Sequence, residues 1–141
     1  MIATNSVQLD VFGNKIDEEY YKTCEEEYCF NFRGTLPLPE LLHLLPDYDF
    51  LILPSRFTEM SSMMVKDAFQ NYLPVIASAA KGNREVIKEG KNGFLFEYDN
   101  AKNLARTIDK AYRLKNEGWL PVFKNVTSAE KDLDEILSYY N

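Results

Sequence analysis

Two carboxylates near the middle of the chain have a spacing that suits chemistry on one ligand. Glu59 and Asp67 are eight positions apart, they bracket an apolar stretch typical of one helix, and a buried-type strand follows. Eight helical positions are slightly more than two turns, so both carboxylates can face one cleft. Carboxylates accept hydrogen bonds from hydroxyl groups, and the free N–H groups at a helix start attract phosphate. The pattern therefore indicates a ligand with hydroxyls and phosphates, which points to a nucleotide sugar.

The phosphate donors expected from this pattern are the backbone N–H groups of Met60, Ser61 and Ser62, which open the helix. Asp67, inside the helix, is placed to accept hydrogen bonds from the vicinal hydroxyls of a ribose. Two plainer interpretations stay open. Glu59 and the serines can simply cap a helix, and Asp67 can stand on a solvated helix face.

Lys81 and Gly82 form a second candidate contact, after one buried-type strand and before a short helix. Glycine there would let the backbone approach a ligand closely, although these residues alone favour a plain loop. His43 has no partner motif, and we expect it to be structural. The chain contains no Gly-x-Gly-x-x-Gly, P-loop, Gly-x-Ser-x-Gly or His-Glu-x-x-His motif. Their absence argues against a dehydrogenase, an NTPase, a serine hydrolase and a zinc protease.

Composition restricts the class further. The 141 residues are 45% hydrophobic and 13% aromatic, which predicts one globular domain. The net charge of -6 argues against a nucleic-acid partner. No apolar run is long enough to cross a bilayer, and no signal pattern opens the chain, so we predict a cytoplasmic protein. Cys24 and Cys29 fit neither a zinc site nor a disulfide framework, so we expect two reduced thiols.

Short apolar runs alternate with helical patterns along the chain. The strands are predicted at residues 7–12, 28–32, 50–53, 75–77 and 93–96, and the helices at 16–24, 39–45, 61–71, 84–88, 101–114 and 128–140. Asn100 is expected to cap the helix that starts at residue 101. This alternation predicts an α/β fold, a doubly wound, Rossmann-like parallel sheet between helices. In such sheets ligands bind outside the carboxyl ends of the strands, where the candidate residues fall.

Taken together, the ordered motifs resemble the carboxyl-terminal, donor-binding domain of the retaining family 4 glycosyltransferases, which have the two-domain GT-B fold. The matching motifs are Pro54-Ser55, Glu59, Asp67-Ala68, Pro74-Val75-Ile76-Ala77-Ser78, Gly82-Asn83-Arg84-Glu85 and Asn92-Gly93. Upstream, Phe30-Asn31-Phe32-Arg33-Gly34 followed by Leu41-Leu42 resembles the strand and turn that flank the base. The resemblance covers about residues 7–115.

The resemblance implies a metal-independent transferase without a cofactor, which moves a sugar from a nucleotide donor to a glycan or lipid and retains its anomeric configuration. It implies that Glu59 contacts the donor sugar as the catalytic residue, and that Asp67 holds the ribose. The substrate-binding set implied in full is Arg33, Gly34, Met60, Ser61, Ser62, Asp67, Lys81 and Gly82.

The chain also departs from the family pattern. Asp67 replaces a Glu, and Met60 and Lys81 each replace a Gly. The first strand of the donor domain and the amino-terminal acceptor domain are not found in the sequence. We therefore predict that residues 1–141 are a single donor-binding domain and a fragment, with a connector and carboxyl-terminal helix at 119–141.

These departures bear on partners and on function. The expected partners are the missing acceptor domain, which can bring peripheral membrane association, or a second copy of the chain. We expect no sugar transfer by the chain alone. The alternative is a non-catalytic regulatory or protein-binding module that keeps the Rossmann-like fold. A receiver-like signalling domain is disfavoured because the central strand ends in Pro54-Ser55 rather than in a phosphorylatable Asp.

Overall fold

The computed structural model describes residues 7–27, 30–56 and 63–123. The chain divides into two compact units, Met1–Leu41 and Leu42–Asn141. The described strands are β1 (Leu9–Phe12), β2 (Phe30–Gly34), β3 (Leu51–Leu53), β4 (Val75–Ser78) and β5 (Gly93–Phe96). The described α-helices are α1 (Glu18–Glu27), α2 (Leu38–Leu44), α3 (Met63–Gln70), α4 (Lys81–Val86) and α5 (Ala101–Asn116).

In the first unit, β1 and β2 form a parallel pair. Val11 lies opposite Phe32, and the Phe32 ring meets the Tyr21 ring of α1 edge to face, with 4.4 Å between centroids. At the carboxyl end of the pair, the Gly13 N–H donates to the Gly34 carbonyl over 2.9 Å. One apolar face of this small sheet is therefore covered by α1.

In the second unit, β4 lies between β3 and β5, and all three strands are parallel. All four residues of β4 are buried. Val75 and Ala77 pack in one cluster with residues of α3, whereas Ile76 packs in another with Phe94 of β5 and Ala111 of α5. Successive strand residues face opposite sides of a sheet, so the alternation in β4 divides the core into two layers. This is the arrangement of a doubly wound sheet.

The segment after α5 contacts both of these layers. Trp119 stacks on Phe50, with ring centroids 6.0 Å apart, and its indole N–H donates to the Gly90 carbonyl over 2.8 Å. Phe123 packs against Phe69, 5.5 Å between centroids, in the other cluster. The segment therefore holds the two faces of the sheet together near the start of β5.

Each predicted strand, and each predicted helix that falls on described residues, is present. The strand predicted at 93–96 is confirmed as β5, and Asn100 caps α5 because its side chain accepts the Asn103 N–H over 2.9 Å. The helix predicted at 84–88 was placed too late, since α4 spans Lys81–Val86 and takes in the expected loop. Residues 28–29 and 61–62 and the predicted final helix at 128–140 lie outside the described residues.

The two sheets share no described hydrogen-bonded strand pair. In the described part of the chain, β1 is hydrogen-bonded only to β2, and β3 only to β4. Each of these two strands therefore has an edge with main-chain groups that no described strand satisfies. Association with a second copy of the chain stays a prediction.

Gly93 generates a stability prediction, because β5 starts against the backbone of β4. A Cβ added at Gly93 would lie 2.2 Å from the Val75 carbonyl oxygen. We expect Gly93→Ala to lower the free energy of unfolding by about 3 kcal/mol, the range of a severe overpacking, measured by urea denaturation. Gly90→Ala is the matched control, since its φ is +70° and a Cβ there meets no atom within 4 Å. The expected loss of unfolding free energy for Gly90→Ala is about 1 kcal/mol. Equal losses for the two variants would show that the close approach of Gly93 to Val75 does not determine the effect.

Candidate functional site

The loops after β3 and β5 are tied together at the carboxyl edge of the second sheet. Arg56 forms an ion pair with Asp99, with 2.6 Å between Nη2 and Oδ1, and the Tyr98 hydroxyl donates to the Arg56 carbonyl. Both charged side chains are more than half exposed, so the pair contributes about 0–1 kcal/mol to stability. Its role is geometric, because it links two ligand-side loops that are 43 residues apart in the chain. No local pattern in the sequence marks these two residues, since the pairing joins two distant loops.

The end of β4 carries two of the predicted site residues, Lys81 and Gly82, in the first turn of α4. Gly82 is buried, and Lys81 is exposed. The first turn has no acidic residue, and no described residue forms an ion pair with the Lys81 ammonium. A cation at the positive end of a helix is unfavourable by a few tenths of a kcal/mol up to about 1 kcal/mol. The Lys81 charge is therefore available to an anionic group at this edge.

Side chains hold this turn in place from inside. The Asn83 amide donates to the Ser78 carbonyl over 2.9 Å, and the Arg84 Nε donates to the Ala79 carbonyl over 2.8 Å. Ser78 Oγ and Asn83 Oδ1 are buried and have no hydrogen-bond partner among the described residues. A buried oxygen without a partner costs about 1–3 kcal/mol, so this strand end retains polar capacity that the described fold does not use.

Asp67 lies on the flank of α3. Val65, Ala68 and Phe69 form the buried face of this helix, Met63 and Lys66 are exposed, and Asp67 is half-buried between the two faces. None of the described residues hydrogen-bonds or pairs with the Asp67 carboxylate. The carboxylate therefore borders the packed face, and no described residue uses its hydrogen-bonding capacity.

Arg33 and Gly34 lie in the first unit, at the carboxyl end of β2. Gly34 has φ +72°, a left-handed conformation that favours glycine. The Arg33 Nε donates to the Asp10 carboxylate over 3.1 Å. Sequence analysis did not mark Asp10, because its contact with Arg33 exists only once β1 and β2 are paired.

The predicted catalytic residue and phosphate donors cannot be located in this way. Glu59, Met60, Ser61 and Ser62 fall within residues 57–62, outside the described residues. Their roles stay predictions. Of the other predicted residues, the structure brings Lys81 and Gly82 together at one strand end and places Asp67 on the helix that follows β3.

The Asn92-Gly93 motif has a different role from the ligand-facing residues. It stands at the amino end of β5, where the Asn92 side chain accepts the Lys88 N–H over 2.7 Å and donates to the Val86 carbonyl over 3.1 Å. With the close approach of Gly93 to Val75, this makes the motif a structural device that fixes the turn from α4 into β5.

No group of three or more His, Cys, Asp or Glu side chains within residues 7–27, 30–56 and 63–123 could hold a metal ion. In the same stretches, no helix has the length and apolar character needed to cross a membrane.

The parallel sheet of the second unit, with helices on both faces, matches the Rossmann-like, carboxyl-terminal half of the GT-B fold. The crystal structure of TarM superposes with a TM-score of 0.73 at 23% identity, over 97% of this chain and 29% of that chain. The structure of HepE from Anabaena in complex with UDP superposes with a TM-score of 0.70 at 19% identity, over 94% and 41%.

Comparison of the amino-acid sequence with known proteins identifies the family of the chain. The putative glycosyltransferase EpsD of Bacillus subtilis is 28% identical over 113 residues, which cover 76% of this chain and 28% of EpsD. Residues 1–113 match the family described as glycosyl transferases group 1. The chain belongs to this glycosyltransferase family, and it spans less than half the length of each relative named here.

Proposed function

We propose that the chain binds a nucleoside diphosphate sugar and is the donor half of a retaining glycosyltransferase that acts on a glycan or lipid. The observation that carries the proposal is the family match, because residues 1–113 include every candidate residue from Arg33 to Gly82. The HepE neighbours, whose structures contain UDP or UDP-glucose, support a nucleotide sugar as the ligand class.

Each candidate residue has a proposed role in this function. Glu59 contacts the donor sugar, and the N–H groups of Met60, Ser61 and Ser62 hold the diphosphate. Asp67 accepts hydrogen bonds from the ribose hydroxyls, which suits a half-buried carboxylate without a described partner. The reaction must stabilise a leaving nucleoside diphosphate and an oxocarbenium-like sugar, and that work is mainly electrostatic.

The remaining candidate residues complete the donor site. Lys81 adds a positive charge at the carboxyl edge of β4, where an anionic part of the donor would meet it. Gly82 lets the backbone approach the ligand, and Arg33 and Gly34 flank the base. We expect no cofactor and no metal requirement, so EDTA should not change nucleotide binding.

Transfer itself is proposed to need a second domain that presents the acceptor. In a GT-B enzyme the reaction occurs between two domains, and this chain spans 28% of EpsD and 29% of TarM. The partner is an acceptor domain, which can also bring association with a membrane surface, or a second copy of the chain. We propose a cytoplasmic location, where nucleotide sugars are available.

The first test is titration calorimetry of the 141-residue chain with UDP, GDP, ADP and UDP-glucose, with and without EDTA. We expect a nucleoside diphosphate to bind, with the same affinity in EDTA. A ligand at 100 times its Kd should stabilise the fold by about 2.7 kcal/mol, so thermal unfolding gives an independent readout. The proposed function is wrong if no nucleoside diphosphate binds at millimolar concentration.

Glu59 can be tested by separating sugar binding from nucleotide binding. We expect Glu59→Gln to weaken UDP-glucose roughly tenfold, the loss of one charge-assisted hydrogen bond, and to leave UDP affinity unchanged. The reason is that the proposed contact is with the sugar only. Glu40→Gln, which removes an exposed carboxylate of α2, is the control. Equal losses for both ligands, with a lower melting temperature, would instead support the helix-cap interpretation.

The proposed ribose contact of Asp67 can be tested by changing the length of the side chain or removing its charge. Asp67→Glu should keep or improve UDP affinity, because the family pattern has a Glu here, whereas Asp67→Asn should weaken it. Both variants should keep the free energy of unfolding within about 0.5 kcal/mol, since the side chain has no described partner. A marked loss of affinity in Asp67→Glu alone would show that the carboxylate meets a packed neighbour rather than a ribose.

The second candidate function is a non-catalytic module that keeps the fold. The exposed Lys81 favours it, since a long charged side chain stands where the family has a Gly. Lys81→Gly separates the two functions. In a donor domain, this variant should bind UDP more weakly than the wild type, because the positive charge of Lys81 is lost. A module without a donor site should bind no nucleotide in either form.

A further inference from the structure

The first unit carries a polar sheet face, and Arg33 is the only residue on it that has a proposed role. Asp10 lies opposite Asn31 in the parallel register of β1 and β2. Gln8 lies two positions before Asp10, just ahead of β1, and Arg33 lies two positions after Asn31 in β2. Alternate strand residues share a face, so these four side chains stand on the side away from the face that Tyr21 covers. The Asp10 side chain is only 5% exposed there.

The Asp10 carboxylate is held by side-chain donors on this face. It accepts hydrogen bonds from Asn31 Nδ2 at 2.9 Å, from Arg33 Nε at 3.1 Å and from Gln8 Nε2 at 3.4 Å. A buried carboxylate is stable only when it is paired and hydrogen-bonded. Asp10 is therefore fixed in place, and it fixes Arg33 in turn.

Arg33 stands at an irregularity in the strand pairing. Val11 lies opposite Phe32, but the next residue, Phe12, lies opposite Gly34. Arg33 is thus an extra residue in β2, which is the definition of a bulge, and bulges re-aim side chains next to active sites. Its side chain is 52% exposed, and Asp10 is its only partner among the described residues. The two terminal amino groups of the guanidinium therefore remain available as donors.

The charge of this pair selects the kind of ligand group. Asp10 neutralises Arg33 at 3.1 Å, so the pair adds little net positive charge for a phosphate. What it presents is a planar fork of N–H donors. Such a fork can donate to an uncharged carbonyl oxygen, and uracil and guanine both present carbonyl oxygens at the edge of the ring.

We propose that Asp10 is a positioning residue that holds the Nε of Arg33, so that the terminal amino groups of Arg33 donate to a carbonyl oxygen of the donor's nucleobase. The inference rests on the proposed function and names the group that Arg33 binds. The donor base is then one with a carbonyl at its edge, as in UDP or GDP, and not adenine.

The test is calorimetry of the whole chain with UDP, GDP, ADP and inorganic pyrophosphate. We expect UDP or GDP to bind more tightly than ADP. Arg33→Gln should weaken the preferred ligand roughly tenfold and leave pyrophosphate within about twofold. Arg33→Lys should show the same loss, because an ammonium keeps the charge without the fork. Arg113→Gln, on the exposed side of α5, is the control and should change nothing.

Asp10 is tested by a double-mutant cycle, which a purely structural role would not satisfy. Asp10→Asn should weaken the preferred ligand in the wild-type background, yet add no further loss in the Arg33→Gln background, because it acts through Arg33. Pyrophosphate affinity should stay unchanged in both backgrounds. If Asp10→Asn does not fold, the two Arg33 variants still decide the matter.

The failures are distinguishable. If UDP or GDP binds and every Arg33 variant binds it like the wild type, the inference falls and the proposed function stands. The inference is also wrong if ADP binds more tightly than UDP and GDP, or if the Arg33→Lys variant binds the preferred ligand with wild-type affinity. The proposed function stands in both cases. If no nucleoside diphosphate binds the wild type, the proposed function falls and takes the inference with it.

Discussion

The structure of the second unit depends on the burial of β4 between β3 and β5. Four consecutive buried residues, Val75–Ser78, require partners on both edges and both faces. The edges are satisfied by parallel hydrogen bonding, and the faces by two apolar clusters, one with α3 and one with α5. Gly93 allows this pairing, because a side chain there would meet the Val75 carbonyl. The helices can cover both faces because the strand between them carries apolar side chains on both sides, Val75 and Ala77 on one and Ile76 on the other.

This pairing also separates structural residues from ligand-facing residues. All the strands of a parallel sheet end at the same edge, so their following loops collect there. Lys81 and the Arg56–Asp99 pair lie at that edge, whereas Asn92-Gly93 and the Trp119 contact with Gly90 lie at the opposite one. The amino edge is closed by hydrogen bonds and aromatic packing. At the carboxyl edge, the Lys81 charge and two buried oxygens have no partner among the described residues.

The burial of each charged group determines whether it contributes to the stability of the fold or is available to a ligand. Arg56 and Asp99 are solvated, so their pair orders two loops with little effect on stability. Asp10 is almost wholly buried, so its partners are obligatory, and removing Arg33 would take away a charged donor. Lys81 is exposed and has no described partner, and a bound anion would improve its surroundings. The solvated Arg56–Asp99 pair thus links two loops, the buried Asp10 carboxylate positions Arg33, and the exposed Lys81 charge is available to a ligand.

Local sequence determined the type of every described strand and helix, because apolar periodicity and capping residues act over a few positions. The alternation at 93–96 and the cap at Asn100 are cases where the pattern alone sufficed. The ordered motifs also indicated the family, because the residue types and the order of the motifs can be compared without knowing which residues are in contact. Where helices begin was less certain, and α4 takes in Lys81 and Gly82 because the buried Asn83 folds back onto Ser78. The tertiary structure alone decided the contacts between distant residues. Asp10 meets Arg33 across 23 positions, and Arg56 meets Asp99 across 43, because strand register and strand order, which no local pattern encodes, bring them together.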